Sequence, residues 1–457
     1  PRLQVYAGAD KAAVIAALES SAASGSGFRR DAVHQADTPH PARLVLVATD
    51  ADFDSVRLRA LAHLRDGAPA GTAVHFREQP IAGELAFVFA GAGASYRAMG
   101  RELLEQLPQL LDGLAQRSQR LVTALEWSFD LLLDPQMTPD AMSPGSLREQ
   151  RDLLPQSPTA LQQLWGASAL SQLHLEFSEG LLGLKADAWL GYSSGETNAL
   201  VAAGVWNDPD ALMDEMEASG LVTDALGGGF SAVAPQWGRP VRWASWTVLA
   251  PLAEVEAALA GVERVHLAII NSDSDCLIAG DRDGCDIVVG RIGANRCLEL
   301  VYPLAVHVPE LDAVAPQWLQ LHRRETRPPR HGRLYSTAVG CAYVPDREAC
   351  AQAILDQANQ TLDLRPLVLQ AWAVGVRVFV EHGPGGSFAR AIRSILGERE
   401  ALVLSLDRKG QGLDGVLGCA AALIAAGVTV DLDVLHAALV SLPASPPPQR
   451  PMRFAAH

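Results

Sequence analysis

The chain has 457 residues, too many for one ordinary hydrophobic core, so two or three domains or subdomains are expected. Hydrophobic residues make up 49% and charged residues 19%, which excludes a disordered chain and indicates a well-packed globular one. The formal net charge of -15 argues against a nucleic-acid backbone or an anionic membrane as the main partner, and leaves the nature of any small substrate open.

Six cysteines are scattered through the second half and none forms a CxxC pair, so neither a zinc site nor a redox motif is indicated. A disulfide framework does not fit this density, and a reducing cytoplasm does. No apolar run is long enough to cross a bilayer, and no signal peptide is visible. Starting at Pro1 rather than Met, the chain reads as part of something longer.

Residues 1–82 read as a small α/β unit. "RLQVYAGA" and "RLVLVAT" are short β runs, "KAAVIAALESSAA" has helical spacing, and "SVRLRALAHLRDG" is a helix ending on Gly67. "TAVHFREQP" alternates like a strand. "LAFVF" at 85–89 is continuously apolar, as suits a strand buried on both faces of a parallel sheet. Gly-rich "AGAGASYRAMG" follows, then the helix "RELLEQLPQLLDGLAQR". A further helix, "TALQQLWGASALSQLHLEFSEGLLGL", leads into "ADAWLGYSSGE".

From about residue 236 six segments alternate as β-α-β-β-α-β, from "RPVRWASWTVLAP" to "RCLELVYP", the order of a ferredoxin-like subdomain. "RLYSTAVG" and "VRVFVEHGPGG" return to the larger sheet. The tail "SLPASPPPQRPMRF" is Pro-rich and reads as extended. The expected divisions are 1–82, 83–235, 236–300, 301–441 and 442–457.

The chemistry centres on "GYSSGE". A Gly-x-Ser-x-Gly pentad between strand and helix can form a nucleophile elbow: the glycines have no Cβ to clash in the tight turn, and the hydroxyl of Ser193 is pushed outward. The N–H of Ser194, at a helix start, is then free to stabilise an oxyanion. Ordinary Gly-Ser-rich turns carry the same letters, so the pentad needs partners. One is the Gly-rich loop after "FVF", which can cradle a phosphate or offer an N–H to an oxyanion. It lacks the Gly-Lys-Ser/Thr of a P-loop, which disfavours nucleotide. The other is His307 in "LAVHVPEL", the best general base once a nucleophile lies upstream. His382 in "VEHGPGG" is its rival, while His322 and His331 fall in a charged loop.

In this order "FVFAGAGASYRAMGREL", "GYSSGETNALVAAGVW", "LAVHVPEL" and "FVEHGPGGSFARAI" resemble the acyltransferase domain of fatty acid and polyketide synthases, over roughly 83–435. "IINSDSDCLIAG", with Asn271, looks like the family's Asn-containing strand pair. The 1–82 unit looks like the linker joining a ketosynthase to its acyltransferase, and the wording of "GYSSGETNAL" is nearest to enediyne and polyunsaturated-fatty-acid synthases. The resemblance implies an α/β fold: an α/β-hydrolase-like parallel-sheet core, an inserted ferredoxin-like small subdomain and an N-terminal α/β linker domain.

It also implies ping-pong acyl transfer through a Ser193–His307 dyad, from an acyl-CoA to the phosphopantetheine thiol of an acyl carrier protein. Backbone N–H groups of Ala92 and Ser194 would hold the oxyanion. A polar group from 356–365, with Gln360 as the choice, would orient His307. Arg239, Tyr192 and Asn271 are the substrate-contact candidates. No metal or bound cofactor is implied; coenzyme A and phosphopantetheine carry the substrates. The implied neighbours are the carrier protein and a ketosynthase domain, with no nucleic acid and no membrane.

Three departures bear on this. Tyr192 stands where the family usually has His, and Ala92 where Gln is usual. Malonyl-selective members carry an Arg near the position of Ala218 to grip the malonyl carboxylate. No Arg occurs between Ser193 and Arg239, and the helix is acidic, with Asp208, Asp210, Asp214, Glu215 and Glu217. Arg239, Arg242 or Arg97 could substitute. The expectation is therefore an uncarboxylated acyl group, with malonyl loading, thioesterase-type hydrolysis and a non-catalytic scaffold as the competing readings.

Overall fold

A computed structural model describes residues 1–20, 40–96, 98–130 and 159–440. The Pro-rich tail expected at 442–457 and Arg97 lie outside the described residues. Strands β1 (Arg2–Gly8), β2 (Ala42–Ala48) and β3 (Val74–Arg77) form an antiparallel sheet. Its period-two alternation gives it two apolar faces. Tyr6, Leu44 and Leu46 pack with Val14, Leu18 and Leu64 of helices Lys11–Ser20 and Phe53–Asp66. Leu3, Val5, Val45 and Val47 point the other way and join the main core, where helix Gly412–Ala425 lies against β2. Helix Phe53–Asp66 stops on left-handed Gly67, as its sequence predicts.

The main sheet runs β11-β10-β5-β4-β13-β14. It comprises β4 (Glu84–Phe89), β5 (Ala188–Gly191), β10 (Arg333–Ser336), β11 (Cys341–Tyr343), β13 (Val376–His382) and β14 (Leu402–Ser405). All neighbours are parallel except the edge pair β10–β11. Central β4 has Leu85, Ala86, Phe87, Val88 and Phe89 all buried, which is why it is apolar at every position after Glu84.

The small lobe holds β6 (Trp243–Val248), β7 (Val265–Ser272), β8 (Asp275–Asp281) and β9 (Cys297–Glu299), with helices Leu252–Leu259 and Arg282–Ile292. The antiparallel order β7-β8-β6-β9 is the ferredoxin-like arrangement. A fifth strand, β12 (Leu362–Asp363), pairs parallel to β7. Two residues are too short to leave a periodic signal, so this link between the lobes is invisible in the sequence.

Two helices differ from their sequence reading. The segment at 101–117 is broken into Arg101–Gln106 and Leu110–Arg117, because Pro108 between them has no N–H to continue the ladder. The helix Ala160–Leu175 relaxes into a π turn over Glu176–Leu181. Among the described residues no helix is long and apolar enough to cross a membrane.

Candidate active site

The loops leaving the carboxyl ends of β4, β5 and β13 meet at one edge of the parallel sheet, where open α/β sheets bind ligands. Backbone bonds tie them: Tyr192 N–H donates to the Phe89 carbonyl (3.4 Å) and Ala90 N–H to that of His382 (3.1 Å). Ser193, two residues beyond the end of β5, has φ 55° and ψ -135°, and helix Ser194–Ala202 starts immediately after it. A Cβ at Gly191 would strike the Gly195 carbonyl, and one at Gly195 the Phe89 carbonyl. Both glycines are therefore dictated by backbone crowding around the serine.

His307 reaches this turn from the far lobe junction. Its Nε2 lies 2.8 Å from Ser193 Oγ, and its Nδ1 lies 2.6 Å from the Gln357 carbonyl oxygen. A carbonyl only accepts, so Nδ1 carries the ring proton and Nε2 is the bare acceptor facing the serine O–H. The His307 N–H donates to the Ala358 carbonyl at 2.5 Å. Both acceptors belong to the last turn of helix Arg347–Asn359, whose final carbonyls have no partner within the helix. The negative end of that helix dipole faces the imidazole and favours the cation formed when it takes a proton. Burial lowers the His307 pKa to about 4, against the upward pull of the Gln357 carbonyl. At neutral pH the ring is uncharged and able to act as a base. The Gln357 side chain completes the bracket: its Nε2 donates to the Ser193 carbonyl at 3.0 Å.

The Gly-rich loop supplies Ala92, whose buried N–H donates to Ser194 Oγ at 2.9 Å. The loop is pinned on its far side. Ser95 Oγ donates to the Gln163 carbonyl (3.1 Å), and Tyr96 O–H donates to Asp407 Oδ1 (2.6 Å). Asp407 Oδ2 accepts from Gly385 N–H at 2.9 Å, so one buried carboxylate fastens the loops after β4 and β13 together.

Among the sequence-derived candidates, Ser193, His307, Ala92 and Ser194 converge. Gln360 does not: it is exposed beyond the helix end, and the Gln357 carbonyl orients the imidazole in its place. The signal available was only that helix ends leave free carbonyls; no residue type marks a backbone acceptor. Tyr192 is buried against Phe388, with its hydroxyl 2.9 Å from Ser387 Oγ. Arg239 pairs with Asp281 (2.7 Å), Arg242 with Asp283 (2.8 Å), and Asn271 donates to Asp275 (2.9 Å). Ala218 is exposed.

His382 is fully buried between Phe87 and Phe89, with its ring nitrogens on Val380 O and Ser178 Oγ, an ordinary core histidine. His322 is likewise buried, at the end of helix Ala315–His322, rather than in a charged loop. The stretch 356–365 contained Gln357, but the choice within it fell on Gln360; Tyr96 and Asp407 were missed, lying far apart in no recognisable motif. Among the described residues no cluster of three His, Cys, Asp or Glu could hold a metal ion.

A serine at positive φ on a strand-to-helix elbow, touched by a neutral histidine and beside two candidate oxyanion donors, is the arrangement that nucleophilic acyl chemistry uses on an α/β scaffold. The chain belongs to the family described as the acyl transferase domain, which it matches over residues 86–430. It is an acyltransferase of the type found in polyketide and polyunsaturated fatty acid synthases. It is 24% identical over 364 residues to a polyunsaturated fatty acid synthase polypeptide of Thraustochytrium sp., covering 75% of this chain and 17% of the relative. It is 26% identical over 400 residues to a phenolphthiocerol synthesis type I polyketide synthase of Mycobacterium marinum, covering 83% and 17%. The chain thus spans about a sixth of the length of these two curated relatives.

The fold is similar to that of the acyltransferase domain from module 8 of the salinomycin polyketide synthase, with a TM-score of 0.73 at 18% identity, covering 95% and 97% of the two chains. It is also similar to the acyltransferase domain of an iterative polyketide synthase of enediyne biosynthesis, with a TM-score of 0.61 at 20% identity over 94% and 97%. A malonyl-CoA:acyl carrier protein transacylase from Xanthomonas oryzae pv. oryzae aligns with 72% of this chain and 95% of its own, at a TM-score of 0.53 and 22% identity.

Proposed function

We propose that this domain moves an uncarboxylated acyl group from a coenzyme A or carrier thioester to the phosphopantetheine thiol of an acyl carrier protein, through an ester on Ser193. The observation that carries the reading is the 2.8 Å approach of His307 Nε2 to Ser193 Oγ, with Nδ1–H held by the Gln357 carbonyl. In the first half-reaction Ser193 Oγ attacks the thioester carbonyl and its proton passes to His307 Nε2. The tetrahedral oxyanion is stabilised by backbone N–H groups of Ala92 and Ser194. Collapse expels the coenzyme A thiolate, which takes the proton from His307. In the second half His307 accepts the carrier thiol proton, the thiolate attacks the ester, and Ser193 leaves with that proton.

The acyl preference is supported by charge. The helix Pro209–Ser219 has no arginine, and Arg239 and Arg242 are engaged by Asp281 and Asp283. Burying a malonyl carboxylate without a cation would cost several kcal/mol. The likeness to a malonyl-CoA:acyl carrier protein transacylase favours malonyl as the second reading.

Intact-protein mass after exposure to a mixture of malonyl-CoA and acyl-CoAs tests both. Uptake of an uncarboxylated acyl group, lost in Ser193→Ala and discharged by holo carrier protein, is expected. Predominant malonyl labelling would overturn the preference. Release of free acid at the same rate with and without carrier would make the domain a thioesterase.

A further inference from the structure

Ala92 is 2% exposed, so its N–H must find a partner inside the protein when no substrate is bound. That partner is Ser194 Oγ at 2.9 Å. Ser194 is also the first residue of its helix, so its own N–H is unclaimed by the helix ladder and is the second candidate oxyanion donor. The hydroxyl oxygen is tethered to one donor and hydrogen-bonded to the other. It therefore takes the hydrogen bond that the Ala92 N–H would otherwise give to the oxygen of an attacked carbonyl.

We infer that the Ser194 side chain is a built-in occupant of the oxyanion site: it fills the site in the resting enzyme and must rotate about χ1 before a carbonyl oxygen can enter. The inference deepens the acyl-transfer reading and rests on Ser193 as nucleophile. A side chain lacking the oxygen leaves only water in the site, and water leaves without a tether. The occupant also explains how a buried backbone donor stays satisfied beside a loop whose position 92 is alanine. The residue that fills the site therefore lies immediately after the nucleophile rather than on the Gly-rich loop.

The test uses a fluorophosphonate, which needs no acyl-CoA. Ser193 Oγ bonds to phosphorus, its proton passes to His307, fluoride leaves, and the phosphoryl oxygen must enter the same site. Labelling rates are followed by intact mass in the parent, Ser194→Ala, Ser194→Thr and Ser194→Val. The last two have the same shape and differ in the one oxygen.

The expected result is that Ser194→Ala reacts about fivefold faster than the parent, and Ser194→Val about fivefold faster than Ser194→Thr, the worth of one neutral hydrogen bond. Hydrogen exchange at the Ala92 amide should also quicken in the two oxygen-free variants only. Oxygen-free variants that react no faster, or more slowly, would overturn the inference; a slower rate would make the hydroxyl a donor to the oxyanion. A parent protein unlabelled at Ser193 would sink the dyad and this inference together. Labelling by the fluorophosphonate but by no acyl-CoA would defeat the acyl-transfer reading alone and leave the occupant result standing.

Discussion

Ser193 and His307, 114 positions apart, meet at 2.8 Å with both backbones at positive φ, 55° and 60°. Non-glycine residues held there cost on the order of 1–3 kcal/mol each and persist only where the surroundings over-determine them. At Ser193 the constraint is the crowding of Gly191 and Gly195 against neighbouring carbonyls; at His307 it is the pair of helix-end carbonyls. Ser193→Gly should therefore raise the stability of the fold by about 1 kcal/mol while abolishing acyl labelling. Urea midpoints and intact mass on one preparation measure both. An equal or lower midpoint would mean the elbow stores no strain.

The pH dependence of acylation follows from the buried imidazole. His307 must be neutral to accept the serine proton, and its pKa sits at about 4. The rate of labelling should hold constant as pH falls through the ordinary histidine range and drop only through an apparent pKa near 4. In stability terms, a folded pKa lowered beneath the unfolded 6.5 gives a contribution that is full above that value and lost as pH falls towards 4. Glu196 and Glu381, pushed to about 7 by burial, contribute stability that is lost as pH rises. Their opposite sign makes labelling kinetics, not melting curves, the measurement for His307.

Gln357 touches both partners, its backbone carbonyl to the imidazole and its side-chain amide to the Ser193 carbonyl. Gln357→Met preserves the first contact and removes the second. The expected loss in labelling rate is about fivefold, one hydrogen bond's worth, with the acid limb of the pH profile unmoved. A shifted limb would mean that the side chain also sets the histidine.

The Asp407 clamp predicts a remote effect on rate. Tyr96→Phe removes the bond that fastens the Gly-rich loop to Asp407 while leaving Asp407 on Gly385 N–H. Because that loop carries the Ala92 donor, kcat should fall about tenfold with KM little changed, the pattern of a group needed in the transition state. A rise in KM at constant kcat would assign the clamp to substrate binding instead.

The amino-acid sequence determined by itself what local backbone physics can encode. Residues 85–89 of β4 are all apolar because they lie in mid-sheet, Pro108 divides a helix, and the elbow glycines stand where a Cβ would meet a carbonyl. The order of the βαββαβ lobe was legible for the same reason, since side-chain period follows element type. Tertiary structure decided everything that depends on a backbone atom or a chance neighbour. The His307 acceptor is a carbonyl of the last turn of a helix, so any residue type would have supplied it, and the expectation fell on Gln360. The sequence already favoured His307 over His382, and the structure gives the reason: both rings are buried, but one meets a serine hydroxyl while the other, at the end of β13, is sealed between two phenylalanines. Likewise no pattern announces that the Ser194 hydroxyl meets the Ala92 N–H, because two residues 102 positions apart become neighbours only when adjacent parallel strands end side by side.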